Sequence, residues 1–98
     1  VTVQLPPVHP GEILRDEFLQ PLGITAGGLA KNLNVPRTRI ERLVNEQSAL
    51  TPDTALRLAR FFDMSPQFWM NLQTSYDLKV EAAAKADELA AIPVLPAA

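Results

Sequence analysis

The sequence predicts an all-α fold of five helices, and three observations predict it. Apolar residues recur three and four positions apart from Ile13 to Val80, a spacing that places them on one face of successive helices. Helix-start signals punctuate the chain at Thr25, Thr51-Pro52 and Ser65-Pro66. Each puts a hydroxyl acceptor before a first turn, twice with a proline whose missing N–H costs nothing there. Breakers separate the periodic stretches, at Pro21 and Gly23, at Asn34-Val35-Pro36, and at Pro93 and Pro96.

Residues 1–10 read as an N-terminal arm, because Pro6, Pro7 and Pro10 oppose a helix there. The alternating Val1, Val3 and Leu5 fit either a frayed end or a strand added to a partner. The helical domain spans 11–91. Its first helix runs from Gly11 to Gln20, with Ile13, Leu14, Phe18 and Leu19 inward and Glu12, Asp16 and Glu17 loading its positive end. Pro21 and Gly23 end it. His9 beside Glu12 reads as a cap or a packing group, since no second histidine or carboxylate cluster completes a metal or acid–base site.

Thr25 opens the second helix. Gly27 and Gly28 lie inside it, each costing up to about 1 kcal/mol relative to alanine. Either the helix starts weakly or its backbone approaches something closely. The fourth helix begins at Pro52 and buries Ala55, Leu56, Leu58, Ala59, Phe61 and Phe62, leaving Arg57 and Arg60 outward. The fifth is long, from Pro66 to about Ala90, with Phe68, Trp69, Leu72, Tyr76 and Val80 as its stripe. Aromatic residues at this spacing fit a core better than a platform for stacked bases. From Lys79 onward the helix is rich in alanine and acid, so it buries little against its own domain. Residues 92–98 form a short apolar tail, a loose end or a hook for a partner.

The stretch 25–45 organises the chain. Leu29, Ala30 and Leu33 form one apolar face, and Ile40, Leu43 and Val44 a second. Ala30 is small enough for a close helix crossing. Asn34 tolerates a positive φ, and Pro36 suits a first helical position. Two short helices joined by a tight turn make a helix-turn-helix, whose second helix can enter a major groove. Once Ile40, Leu43 and Val44 are buried, that helix presents Arg37, Thr38, Arg39, Glu41, Arg42 and Asn45. Arginine forks match guanine edges or phosphates, asparagine matches adenine, and threonine meets a thymine methyl or a phosphate. The same face also fits a solvated surface with pairs such as Arg37–Glu41.

Composition narrows the remaining classes. Ninety-eight residues with 47 % hydrophobic content allow one domain with a modest core. Cysteine is absent, which excludes disulfides, a cysteine zinc site and a thiol nucleophile and fits a cytoplasmic location. No apolar run approaches a membrane span and no signal peptide is expected. No phosphate-binding glycine loop, zinc-protease motif or nucleophile elbow is present. No catalytic residue, cofactor, metal or small-molecule substrate is therefore expected. The formal charge is −2, yet Lys31, Arg37, Arg39 and Arg42 cluster near the turn. So small a basic footprint favours two copies on a paired site.

With these residues in view the chain resembles the HigA antitoxin family, within the Xre/Cro-type (lambda-repressor-like) helix-turn-helix class. The carrying segments are HPGEIL at His9–Leu14, LAKNLNVPRTRI at Leu29–Ile40, LTPDTALRLARFF at Leu50–Phe62 and SPQFWMNLQTSYDL at Ser65–Leu78. The last is the most specific to HigA-like proteins. The resemblance implies a five-helix domain with a long C-terminal helix, a homodimer, and repression of its own operon at an inverted-repeat operator. It also implies a partner, a HigB toxin of the RelE-like mRNA endonuclease class. It places Arg37, Thr38, Arg39 and Arg42 toward the groove, with Glu41 and Asn45 beside them. The Gly27-Gly28 pair departs from the polar residues usual there. A stand-alone Xre-type regulator without a toxin fits the same residues.

Overall fold

The computed structural model describes residues 6–97; Val1, Val3, Leu5 and Ala98 lie outside the described residues. Six helical rods follow one another, and among the described residues there is no strand. Helix α1 is continuous from Pro10–Ile13 through a π-helical Leu14–Leu19 to Gln20–Leu22. Then come α2 (Ala26–Leu33), α3 (Arg37–Val44), α4 (Pro52–Phe62), α5 (Pro66–Ala84) and α6 (Ala86–Ala90). Residues 93–97 have no regular structure.

Both ends of α1 correct the expectation. Pro10 is not in the arm but opens the helix, where a proline without an N–H is tolerated. His9 caps it, Nδ1 accepting the Gly11 amide hydrogen at 2.9 Å. The buried His9 ring also meets Tyr76 edge-on at 4.9 Å, so the histidine caps and packs. Pro21 does not end the helix, which continues to Leu22. A proline ring normally collides with the carbonyl four residues before it. The wide π-turn immediately upstream opens room for that ring.

The expected starts at Thr25, Thr51 and Ser65 are present, each side chain accepting an amide hydrogen from the first turn at 3.0, 3.3 and 3.1 Å. Four helix ends share one closure. Gly23, Asn34, Glu46 and Asp63 all adopt positive φ. The residue after each donates back across the last turn, Ile24 to Leu19, Val35 to Ala30, Gln47 to Arg42 and Met64 to Ala59. This left-handed closure satisfies carbonyls that would otherwise be orphaned. Ile24, Val35 and Met64 then pack on the core.

The core joins α1 to α5. Leu14, Leu29, Ile40, Leu58 and Trp69 are its largest fully buried side chains apart from Pro10. Ala30 is buried, as a close crossing of α2 and α3 requires. Trp69 lies 4.9 Å from the Phe18 ring and 5.2 Å from Phe68, so it is core. Four residues expected inside are exposed instead: Leu56 (59 %), Phe61, Phe68 and Val80. On α4 the buried stripe is Ala55, Leu58, Ala59 and half-buried Phe62, which sits at steps of three and four. Leu56 and Phe61 fall to either side of it. Two polar residues are buried unannounced, Thr54 and Gln73. Gln73 holds the loop after α3, its Oε1 accepting the Leu50 amide hydrogen at 2.6 Å while its Nε2 donates to Asp77 at 2.8 Å.

The long last helix is shorter than expected. At Lys85 the backbone leaves helical geometry (φ −116, ψ 21) and separates α5 from α6. Nothing in the local sequence, which lacks Pro and Gly, marks this break. From Asp77 onward every described residue is exposed, as the alanine-rich composition implies.

Candidate nucleic-acid interface

Helix α3 is fixed from both ends and from beneath. Asn34 takes the left-handed conformation (φ 57, ψ 48) expected of it. Pro36 stands one residue earlier than expected. It precedes α3 with an extended ψ of 141 and no side-chain cap bond, because the three-residue link 34–36 must redirect the chain before the helix can begin. Ile40, Leu43 and Val44 are buried, which forces the opposite face outward.

Two arginines that sequence reasoning did not single out as structural close the pair of helices. Arg15 of α1 donates from Nη1 to the Val44 carbonyl at 2.7 Å and reaches Glu46 at 3.4 Å. Arg57 of α4 donates from Nη1 to the Leu33 carbonyl at 2.8 Å. Each sets a cation against the negative end of a helix. Arg57, expected outward, is thus half-buried and occupied.

The six expected residues lie on the outer side of α3, but in separate groups. Arg37 pairs with Glu41 at 3.3 Å on one flank. There it overlies Gly27, where a Cβ would meet Arg37 Nε at an ordinary 3.4 Å. Thr38, Arg39 and Arg42 line a groove on the other flank, facing Ser48, Thr51 and Asp53 from the loop and the start of α4. Asn45 is exposed at the C-terminal end of α3, outside that groove. Glu41 alone is half-buried. Arg42 forms no ion pair among the described residues.

Asp53 was missed. It reads as one more first-turn acid, and its partners come from other parts of the chain. One of its oxygens accepts from Arg39 Nη1 at 2.6 Å and from Arg57 Nε at 3.0 Å. Hydrogen bonds from Arg57 first, then Arg39, hold its carboxyl below the usual aspartate range. The lowered folded value means that its stabilising contribution is present above the unfolded value and is lost as pH falls through the folded one. A carboxyl-detected NMR titration should therefore find Asp53 protonating at lower pH than a free aspartate. Titration at the ordinary value would mean that the two arginines do not hold it in solution.

Among the described residues no group of three or more His, Cys, Asp or Glu side chains could hold a metal, and no helix is long and apolar enough to cross a membrane. A helix-turn-helix family model matches residues 16–69, from the middle of α1 to Trp69. The chain is 45 % identical to the Pseudomonas aeruginosa antitoxin HigA solved with the higBA promoter, at a TM-score of 0.89, with 92 % of this chain and 99 % of that one covered. The chain belongs to the helix-turn-helix proteins of the HigA antitoxin family. Two further relatives frame this membership. Virulence-associated protein I of Dichelobacter nodosus is 53 % identical over 79 % of this chain and 71 % of its own length. Antitoxin HigA-1 of Vibrio cholerae is 42 % identical over 74 % and 68 %. The HigA family is one of helix-turn-helix DNA-binding regulators and not of enzymes. The fold shared with the Pseudomonas HigA extends well past residue 69.

Proposed function

We propose that this HigA-family chain binds operator DNA as a homodimer, represses its own operon, and neutralises a HigB/RelE-like mRNA endonuclease toxin in the cytoplasm. One observation carries the reading. Helix α3 is buried along Ile40, Leu43 and Val44 and turns Arg37, Thr38, Arg39 and Arg42 to solvent. Two such helices related by a two-fold axis meet successive major grooves about 34 Å apart. Pairing doubles a basic footprint that is small in one copy and makes the operator palindromic. An occupied operator then excludes polymerase. Hydroxyls of Ser48 and Thr51 along the groove suit phosphate contacts, while Arg39 and Arg42 suit base edges. Glu41 and Asn45 border that surface. The promoter-bound Pseudomonas relative supports the DNA half of the reading, and the family name supports the toxin half.

Arg37→Ala or Arg39→Ala should each weaken specific binding by about 1–3 kcal/mol where the guanidinium reads a base edge. Gel-shift titration against a duplex selected from a random library measures this. Full affinity in both variants would move the reading surface elsewhere. The second reading, a stand-alone regulator, is favoured by a Haemophilus influenzae relative named as an HTH-type transcriptional regulator, 46 % identical over 74 % of this chain and 67 % of its own length. A tagged pull-down from native lysate separates the two. A small stoichiometric partner encoded beside this gene, together with rescue of growth from its toxicity, supports the antitoxin. Recovery of the homodimer alone supports the regulator.

A further inference from the structure

We infer that Asp53 is a positioning residue for DNA selectivity, holding Arg39 in one pose on α3 and disfavouring duplexes that offer that pose no match. The inference rests on the DNA-binding reading above. An exposed arginine on a helix has many rotamers, and ordering it on a base edge costs entropy. Here the cost is met before DNA arrives. Asp53 accepts from Arg39 Nη1 at 2.6 Å and is itself held by Arg57, which is anchored on the Leu33 carbonyl. The chain of contacts runs from the end of α2 through α4 to the outer face of α3. A guanidinium carries five N–H donors, so one bond to Asp53 leaves the rest of the fork free for a base.

The carboxylate also acts on its own. Asp53 is exposed and shares the groove wall with Thr38, Arg39 and Arg42. A negative charge there opposes any phosphate track brought to that groove. A duplex whose base edge engages the pre-set Arg39 offsets that repulsion, and a duplex lacking it does not. Selectivity is a difference of affinities, and a built-in repulsive element widens it.

The test uses the full chain, a duplex recovered by selection from a random library, and a scrambled duplex of equal length. Asp53→Asn should tighten binding to the scrambled duplex, weaken binding to the selected one, and lower their ratio by roughly tenfold. The base preference should relax at the position that Arg39 reads. In an Arg39→Ala background the same change should leave the ratio within about twofold, since the interaction it removes is already gone. Asp53→Ser, uncharged and too short to hold Arg39, is the second variant and should behave alike whatever its melting temperature. An unchanged ratio in both variants, or an equal fall in the Arg39→Ala background, overturns the assignment of Asp53 alone. A wild-type chain that prefers no sequence over its scramble overturns the DNA-binding reading and this inference with it.

Discussion

Replacing Trp69 with alanine should cost the fold about 3–5 kcal/mol, the usual range for emptying a large aromatic site. Trp69 is 1 % exposed. Its ring is contacted by Phe18 from α1 and lies 6.4 Å from Phe62 of α4, so two helices packed on α5 lose a common neighbour. Small domains are stable by roughly 5–15 kcal/mol in all, and a loss of this size would leave much of the chain unfolded at growth temperature. Urea denaturation followed by far-UV circular dichroism measures it. A variant that unfolds at the wild-type midpoint would place Trp69 outside the core. Its indole Nε1 has no hydrogen-bond partner among the described residues. Trp69→Phe should therefore lose less than the alanine variant, because it keeps most of the ring and removes the unsatisfied donor.

Gly11→Ala should be nearly as damaging, at about 3 kcal/mol, the upper part of the range for overpacking. A Cβ at Gly11 would overlap the backbone carbonyl of Leu43. No side chain can swing aside there, so either α1 or α3 must shift. Because the obstacle belongs to α3, operator affinity should fall beyond what the unfolded fraction accounts for. Combined denaturation and gel-shift titrations check this. A wild-type midpoint with wild-type affinity would show that α1 and α3 do not touch at this point. Gly27 is the internal contrast, since a Cβ there meets only the flexible arm of Arg37.

These two residues show what could and could not be read from the chain. Trp69 was legible as core because it lies on a helical stripe with Leu72 and Tyr76. Gly11 gave no signal, since a glycine at a helix start has many uses and its neighbour is 32 positions away in sequence. Helix starts were legible at Thr25, Thr51 and Ser65 because capping is a contact between near neighbours. Two helix ends, Gly23 and Asn34, were legible because these residue types accept a positive φ. Glu46 and Asp63 adopt the same conformation with residue types that do not announce it. Leu56 and Phe61 were misplaced because apolar character marks a broad sector of α4, while its neighbours cover only a narrow stripe. At the candidate interface, the outward face of α3 followed directly from burying Ile40, Leu43 and Val44. Its division into an Arg37–Glu41 flank and an Arg39–Asp53 flank did not, because the second pair spans 14 positions. The arginine caps from Arg15 and Arg57 were hidden for the same reason.

The repeated left-handed closure of the helix ends bears on how fast the chain finds its fold. Each closure is made by residues five apart or fewer, and three of the four it introduces are links of three residues, at 23–25, 34–36 and 63–65. Two of these links, 34–36 and 63–65, return a helix directly onto its predecessor without a long loop to close. A topology assembled from such local contacts has a small entropic barrier to the first productive collapse, and helical domains of this kind fold on the order of microseconds to milliseconds. A freshly synthesised chain would spend little time with its apolar faces open to aggregation or proteolysis.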